Sequence, residues 1–457
     1  MMTRTRARTS LDGLIFLLFG GVVLIVSGFV LGISSHHQAI DYKALYYPAR
    51  CLIQHSDPYN VSEVLRVYQA ENVAGSSDTA ANKKAIARYI YLPTAFSFTI
   101  PFAALPWGAA RILWISLTIS SLFFASLLIW DIGTDYNPIV SGVLLGFLLA
   151  NSEVVVALCN SAGIAVSLCV VAVWCFLRER YLPIAILCMA FSLAIKPQDS
   201  GLVWLYFLLA GGVYRKRALQ TLYTVCVLCL PVVLWVWYVA PSWIQEWHSN
   251  ILALSASGGI LDPGFASTLA HGRTGVISLQ AVVSCIWDNP HIYNLVSYLV
   301  CGTLLLIWLV LTLRLQFSVP RAWLALASIA AISMLPVCHH LYDAKLLLLT
   351  VPACAMLWAE GGPIRWFALL VTAGGFIFTG DISLEILGIL STQPHMDTGG
   401  IFGKLLTVVL IQPAPLALLA VAVFYLWAYA RRAGEGSGAE LAPRSQGPIT
   451  GGQESAA

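Results

Sequence analysis

The sequence predicts an all-α polytopic membrane protein, a bundle of about 12 transmembrane helices with a long first outer loop. Three observations lead there. Of 457 residues, 59% are hydrophobic and only 10% charged, against roughly 25% charged in an ordinary soluble domain. Apolar stretches of about 17 to 25 residues recur along nearly the whole chain, each close to the roughly 20 residues a helix needs to cross hydrocarbon. Lys and Arg gather at alternate connections between these stretches, as the positive-inside bias requires.

The first apolar run, Leu11 to Ile33, follows Arg4, Arg6 and Arg8. Its length of about 23 residues exceeds the 7 to 15 of a signal-peptide core, so it reads as an uncleaved first helix behind a cytoplasmic stretch, residues 1–10. Further spans are expected near 90–106 and 110–130, with one net crossing within 138–177, then at 181–195, 199–213 and 218–239. Five more follow near 291–313, 321–338, 342–359, 364–380 and 401–429. The open point is 138–177, long enough for two spans, and two would invert everything downstream. A single crossing with a re-entrant or broken piece around Asn151, Glu153 and Asn160 is preferred, because polar groups at membrane depth survive only inside protein or beside a water-filled cavity.

With the N-terminus cytoplasmic, the segments 34–91 and 241–290 become large outer loops, and Asp131 to Asn137 an outer turn. Arg111, Arg178 and Arg180, Arg215 to Arg217, Arg314, Arg321, Arg365, Arg431 and Arg432 fall on cytoplasmic turns. The multi-pass domain spans 11–430, and the tail 431–457, rich in Gly, Ser, Pro and Glu from Gly434 onward, is expected to be disordered. Both termini would be cytoplasmic, in a membrane of the bacterial inner (plasma) type. Most of the eleven cysteines lie in apolar runs, where Cys behaves as a small hydrophobe. Cys51 and Cys285 are the pair that would share an oxidising compartment.

Three polar clusters interrupt this apolar background. Asp41 follows the first span on a segment whose Ala44, Leu45, Pro48, Leu52 and Ile53 predict a short amphipathic helix, ended at the Asp57-Pro58-Tyr59 turn. Lys196, in AIKPQDSG, breaks an apolar hairpin beside Pro197 and Gln198. A charge so near hydrocarbon is costly and is a functional candidate, against the plainer reading of a snorkelling lysine. VCHHLYDAKLLLL sets His339, His340, Tyr342, Asp343 and Lys345 at one helix junction. A zinc site is not expected there, since adjacent side chains diverge and no third Cys or His stands at ligand spacing. The second large loop adds His248, Asp262, His271 and Arg273, with Trp243 and Trp247 as interface anchors.

These residues resemble those of the polyprenyl-phosphate-sugar-dependent glycosyltransferases of the GT-C class, specifically glycosyltransferase family 87. The resemblance rests on Asp41-Tyr42, Tyr46-Tyr47, Asp57-Pro58-Tyr59, Leu105-Pro106, Lys196-Pro197-Gln198, and His340 with Tyr342-Asp343 ahead of a leucine run ending at Pro352. One departure is Cys159-Asn160-Ser161-Ala162-Gly163, where such proteins often carry a Gly-Gln pair. The resemblance implies a GT-C-type bundle, a polyprenyl-phosphate-linked sugar donor, a lipid or glycan acceptor, no cofactor and at most weak metal dependence. Mannose is the sugar it implies, although the residues alone leave another hexose or a pentose open.

The chemistry needs two kinds of group. A sugar leaving a lipid phosphate passes through an oxocarbenium-like state while negative charge grows on the phosphate. Asp41 is the candidate general base for the acceptor hydroxyl. Lys196, His340 and Arg273 are candidate phosphate partners, and Tyr46, Tyr47, Asn160, Gln198, His339, Tyr342 and Asp343 candidate substrate-lining residues. A membrane polymerase or ligase of lipid-linked glycans would use the same groups. A secondary transporter would instead set its ionisable residues near the bilayer midplane.

Overall fold

The computed structural model describes residues 2–34, 39–71, 79–265, 276–381 and 400–439. Among these the architecture is all-helical, and the one extended pairing is a bridge between Val276 and His340. Six helices are long and apolar enough to cross a membrane: Thr9–Val30, Trp107–Gly133, Gly212–Val239, Pro290–Arg314, Leu341–Glu360 and Pro413–Arg432. Shorter apolar helices are Pro138–Ala150, Ala162–Arg178, Leu182–Ile195, Val319–Met334 and Ile364–Phe378. The chain is a multi-pass membrane protein whose outward-facing Phe16, Phe19, Val26, Phe29, Leu295, Leu299 and Leu306 present an apolar surface to lipid.

Prolines punctuate the bundle. Lys196 precedes Pro197, which bars it from the helical region, and it sits at φ −142°, ψ 80° as both the end of Leu182–Ile195 and the start of Pro197–Leu209. Asn137 caps the helix opened by Pro138 by accepting Val140 N–H at 3.0 Å, and Asn289 caps the one opened by Pro290. The centre is formed by Val319–Met334 and Leu341–Glu360, both largely enclosed and predominantly apolar all round, with Asp343 and Lys345 as buried charges near the start of the second. The first helix meets Pro138–Ala150 through glycines. A Cβ on Gly20 would lie 2.0 Å from the Gly146 carbonyl oxygen, and one on Gly142 2.0 Å from that of Gly13, so only hydrogen allows this approach.

The helices run between two chemically distinct ends. At one, Arg178 bridges Asp131 and Asp135, Arg217 reaches Phe176 O and Glu179, Arg321 donates to Arg432 O, and Arg432 pairs with Glu360. At the other lie Asp41, Asn160, Lys196 and Asp343. The helix Trp243–Leu254 is tied to this second end by Trp247 Nε1–H to Ile90 O and by Asn250 to Tyr59 O.

Two expectations fail in ways that compensate. Segment 90–106 is not one span but a 3-10 turn, Pro93–Ala95, and an eight-residue helix, Phe96–Ala103, about 12 Å long. Both its flanks stay at the lysine end, since Ile90 O accepts from Trp247 while Ala103 O and Leu105 O accept from Arg50 and Tyr46. Segment 138–177 breaks where expected, around Asn151 to Ser161, but it leaves the arginine end and returns to it: Arg178 is ion-paired with Asp131 and Asp135, just before Pro138. Asp131 to Asn137 and Arg111 therefore exchange ends relative to the expectation, and all later helices keep theirs.

Smaller corrections follow. The 401–429 span is two helices, Ile401–Ile411 and Pro413–Ala439, broken before Pro413, and the second runs nine residues into the tail expected to be disordered. The remaining tail lies outside the described residues. The Asp41 helix ends at Ile53, and it is packed into protein on most sides instead of floating on the surface. All eleven cysteines are free, with Cys51 and Cys285 both buried.

Candidate active site

The helix Ile40–Ile53 carries Asp41 in its first turn. Ala39, at its N-cap, is left-handed (φ 53°) and donates its N–H to Ala157 O at 3.1 Å. Cys159, also left-handed (φ 54°), precedes Asn160, and its carbonyl accepts Trp114 Nε1–H at 3.0 Å. Such conformations cost non-glycine residues of order 1–3 kcal/mol each and persist only where packing enforces them. What they achieve is one contact: Asn160 Nδ2–H donates to Asp41 Oδ2 at 2.7 Å.

From Asn160 the network passes inward. Lys196 Nζ stands 3.5 Å from Asn160 Oδ1, bonds Asp343 Oδ1, lies 3.8 Å from Asp199 Oδ2, and sits over the Tyr342 ring at 5.1 Å from its centroid. Asp343 Oδ2 accepts His340 N–H at 2.8 Å, capping the 3-10 segment Leu341–Leu349. His339 Nε2 is 3.3 Å from Asp199 Oδ1. Lys196, Asp199, His339, Asp343 and Asn160 are all buried, while Asp41, His340 and Tyr342 retain some exposure. Burial pushes the Asp41 carboxyl up to about 6, against the Asn160 hydrogen bond and the Lys196 charge, which pull it down.

Of the residues singled out in the sequence, Asp41, Asn160, Lys196, His339, His340, Tyr342 and Asp343 thus come together, from segments up to about 300 positions apart. Others do not join them. Tyr46 and Tyr47 are buried, the first bonded to Leu105 O at 2.7 Å and the second edge-on to Tyr68 at 4.9 Å; they anchor the Asp41 helix and make none of the described contacts of the Lys196 network. Gln198 is exposed on the outside of the hairpin tip. Arg273 and His271 lie outside the described residues. Lys196 is not a free cation awaiting a phosphate, because it is enclosed and already held by Asp343.

Three residues were missed. Asp199 lies one helical turn beyond Lys196, and its spacing (i, i+3) was the available signal. Asp199, His339 and Asp343 offer donor atoms within 4.8 Å of one another, so the missing third ligand comes from a distant hairpin. Tyr91, at the end of the first loop, feels the charges of Lys196, Asp41 and Asp343. Arg111, expected at the opposite end, acts on Cys159 beside Asn160.

The fold and this enclosed polar network define a class: a multi-pass helical membrane protein with an acid-rich site at one end of its bundle. Comparison of the chain with protein-family models, with curated proteins and with solved structures found no match.

Proposed function

We propose that the protein is an integral membrane glycosyltransferase that moves a sugar, mannose on the resemblance, from a polyprenyl-phosphate donor to a lipid or glycan acceptor at the non-cytoplasmic face. In this reading the eleven apolar helices and Pro197–Leu209 make twelve crossings of a GT-C-type bundle, the arginine end is cytoplasmic with both termini, and the membrane is the bacterial inner membrane. The positive-inside bias supports that orientation.

The observation that carries the reading is the state of Asp41. It sits at the partly open edge of the network, one oxygen is held by Asn160, and its pKa of about 6 lies near neutrality, where a general base is most effective. Asp41 takes the acceptor hydroxyl proton, the acceptor oxygen bonds to the anomeric carbon, and the bond from that carbon to the phosphate oxygen breaks, leaving polyprenyl phosphate. His340 and Arg111 are the described basic groups proposed to meet the phosphate charge at the rim, with Arg273 as a further partner. Lys196 acts from beneath, holding Asn160 and Asp343 in place.

The test incubates protein in lipid with a panel of polyprenyl-phosphate sugars and follows donor turnover. One sugar is expected to turn over, and Asp41→Asn to slow it about 10²- to 10⁴-fold while the protein remains folded. Turnover undiminished in a folded Asp41→Asn protein removes Asp41 as the base. Absence of turnover with every donor removes the glycosyltransferase reading.

A further inference from the structure

We propose that Asp199, His339 and Asp343 form a divalent-cation site of the class that takes Mn²⁺ or Zn²⁺. One donor atom from each lies within 4.8 Å of the others, and the three residues are 1%, 1% and 3% exposed. Two carboxylates and one imidazole are a donor set suited to these ions.

Convergence alone would be weak, but the hydrogen bonding points the same way. Among the described residues neither oxygen of Asp199 accepts a well-aligned hydrogen bond: Oδ1 has only His339 Nε2 at 3.3 Å and Oδ2 only Lys196 Nζ at 3.8 Å. Buried polar atoms without partners are costly, and most native ones are satisfied. The surrounding contacts orient the donors. His339 Nδ1 faces Val337 O at 3.2 Å, and when Nδ1–H donates there, the Nε2 lone pair is directed at the cluster. Asp343 Oδ2 accepts His340 N–H and Oδ1 accepts from Lys196 Nζ, so an ion takes Oδ1 by displacing the ammonium.

Charge gives a separate argument. Asp41, Asp199 and Asp343 surround a single ammonium, that of Lys196. The two enclosed carboxylates, Asp199 and Asp343, share one lysine, which leaves the enclosed pair one positive charge short when His339 is neutral, and buried charge without compensation is strongly destabilising. A bound divalent ion supplies the missing charge. With an ion on Asp343, Lys196 keeps Asn160 Oδ1 at 3.5 Å and the Tyr342 ring at 5.1 Å as partners. The competing occupant is a proton on His339, forming an ion pair with Asp199.

The test strips full-length protein in lipid nanodiscs with chelator and titrates Mn²⁺, reading bound ion by electron paramagnetic resonance and imidazole ligation by nitrogen modulation of the spin echo. One ion per chain with a nitrogen signal is expected, along with a raised melting temperature. Asp199→Asn, nearly isosteric, and His339→Gln should each weaken binding by more than about tenfold, the change that loss of even an outer partner of a metal ligand can bring. His339→Gln should also abolish the nitrogen signal, and Arg178→Met, at the other end, should change neither. Failure of wild-type protein to bind Mn²⁺ or Zn²⁺ overturns the proposal, as does binding that survives both variants. A wild-type protein that binds no ion and whose melting temperature falls on Asp199→Asn assigns the site to the proton, since that change breaks the His339–Asp199 pair. Because the ion itself is read, the result is separate from any outcome of sugar transfer.

Discussion

The two ends of the bundle handle charge in opposite ways. At the arginine end cations outnumber acids and much of the pairing is open to water: the Arg178 and Asp131 side chains keep 33% and 52% of their surface exposed. At the lysine end the order reverses. One ammonium is shared among acids, and Lys196 and Asp343 keep only 5% and 4%. The first arrangement is cheap to make and contributes little, because water and salt screen exposed pairs. The second removes ions from water and is repaid only by good geometry and satisfied partners. Asp199 lacks them. A protein that maintains such a cluster beside two left-handed non-glycine residues holds structure there that stability alone does not reward.

The sharpest way to break the contrast is to remove the lysine. Lys196→Met removes the ammonium that Asp343 and Asp199 share, and in chelator-treated protein it is expected to destabilise by about 3–5 kcal/mol, measured by denaturant unfolding in detergent. Adding Asp343→Asn should recover part of the loss, since it deletes the orphaned charge.

Asp41 supplies the next test. Its folded pKa of about 6 lies above the usual 3.8, so the folded protein binds this proton more tightly than the unfolded chain. Its contribution to stability is therefore fully present below about pH 4 and is lost as pH rises through about 6. Transfer moves the other way. Donor turnover should fall about tenfold per pH unit below 6, as the base is protonated, and level off above it. Asp41→Asn should abolish that limb and the matching stability change together.

How much of this was legible depended on whether the signal was local. Apolar runs with basic turns identify a membrane bundle, because hydrocarbon imposes length and charge rules on every span independently. The Lys196 break follows from Pro197, and the 339–343 junction from its density of polar residues. Local signals misjudged 90–106 because a re-entrant segment and a span have the same composition; only the bonds from Trp247, Arg50 and Tyr46 return both flanks to one end. The same limit hid Arg111 and Asp199. Arg111 is an ordinary turn cation in sequence, and Asp199 gains meaning only when His339, 140 positions away, comes to 3.3 Å. Tyr46 and Tyr47 were misread for the opposite reason: aromatic residues beside an acid resemble a sugar platform, yet here they pack the helix that carries the acid.

The glycine contact between the first helix and Pro138–Ala150 lies between the two ends and tests whether losses at the lysine end are generic. Gly146→Val drives a side chain toward the Phe16 carbonyl, 2.3 Å from where its Cβ would lie. Overpacking of this kind is expected to cost about 1–3 kcal/mol while leaving the pH dependence of turnover in place.

The smallest effect belongs to the arginine end. Arg178 touches Asp131 at 3.2 Å and Asp135 at 2.9 Å, shorter than the 3.8 Å between Lys196 and Asp199. If distance decided, Arg178→Met would be the more damaging change. Solvent decides instead: Asp131 and Asp135 are half-exposed and keep their hydration when the guanidinium goes, and Asp131 also keeps Trp174 Nε1–H at 3.0 Å. The expected loss is about 0–1 kcal/mol, shrinking further as salt is added. A loss as large as that of Lys196→Met, in the same unfolding measurement, would mean that the two ends differ in composition but not in how tightly their charges are held.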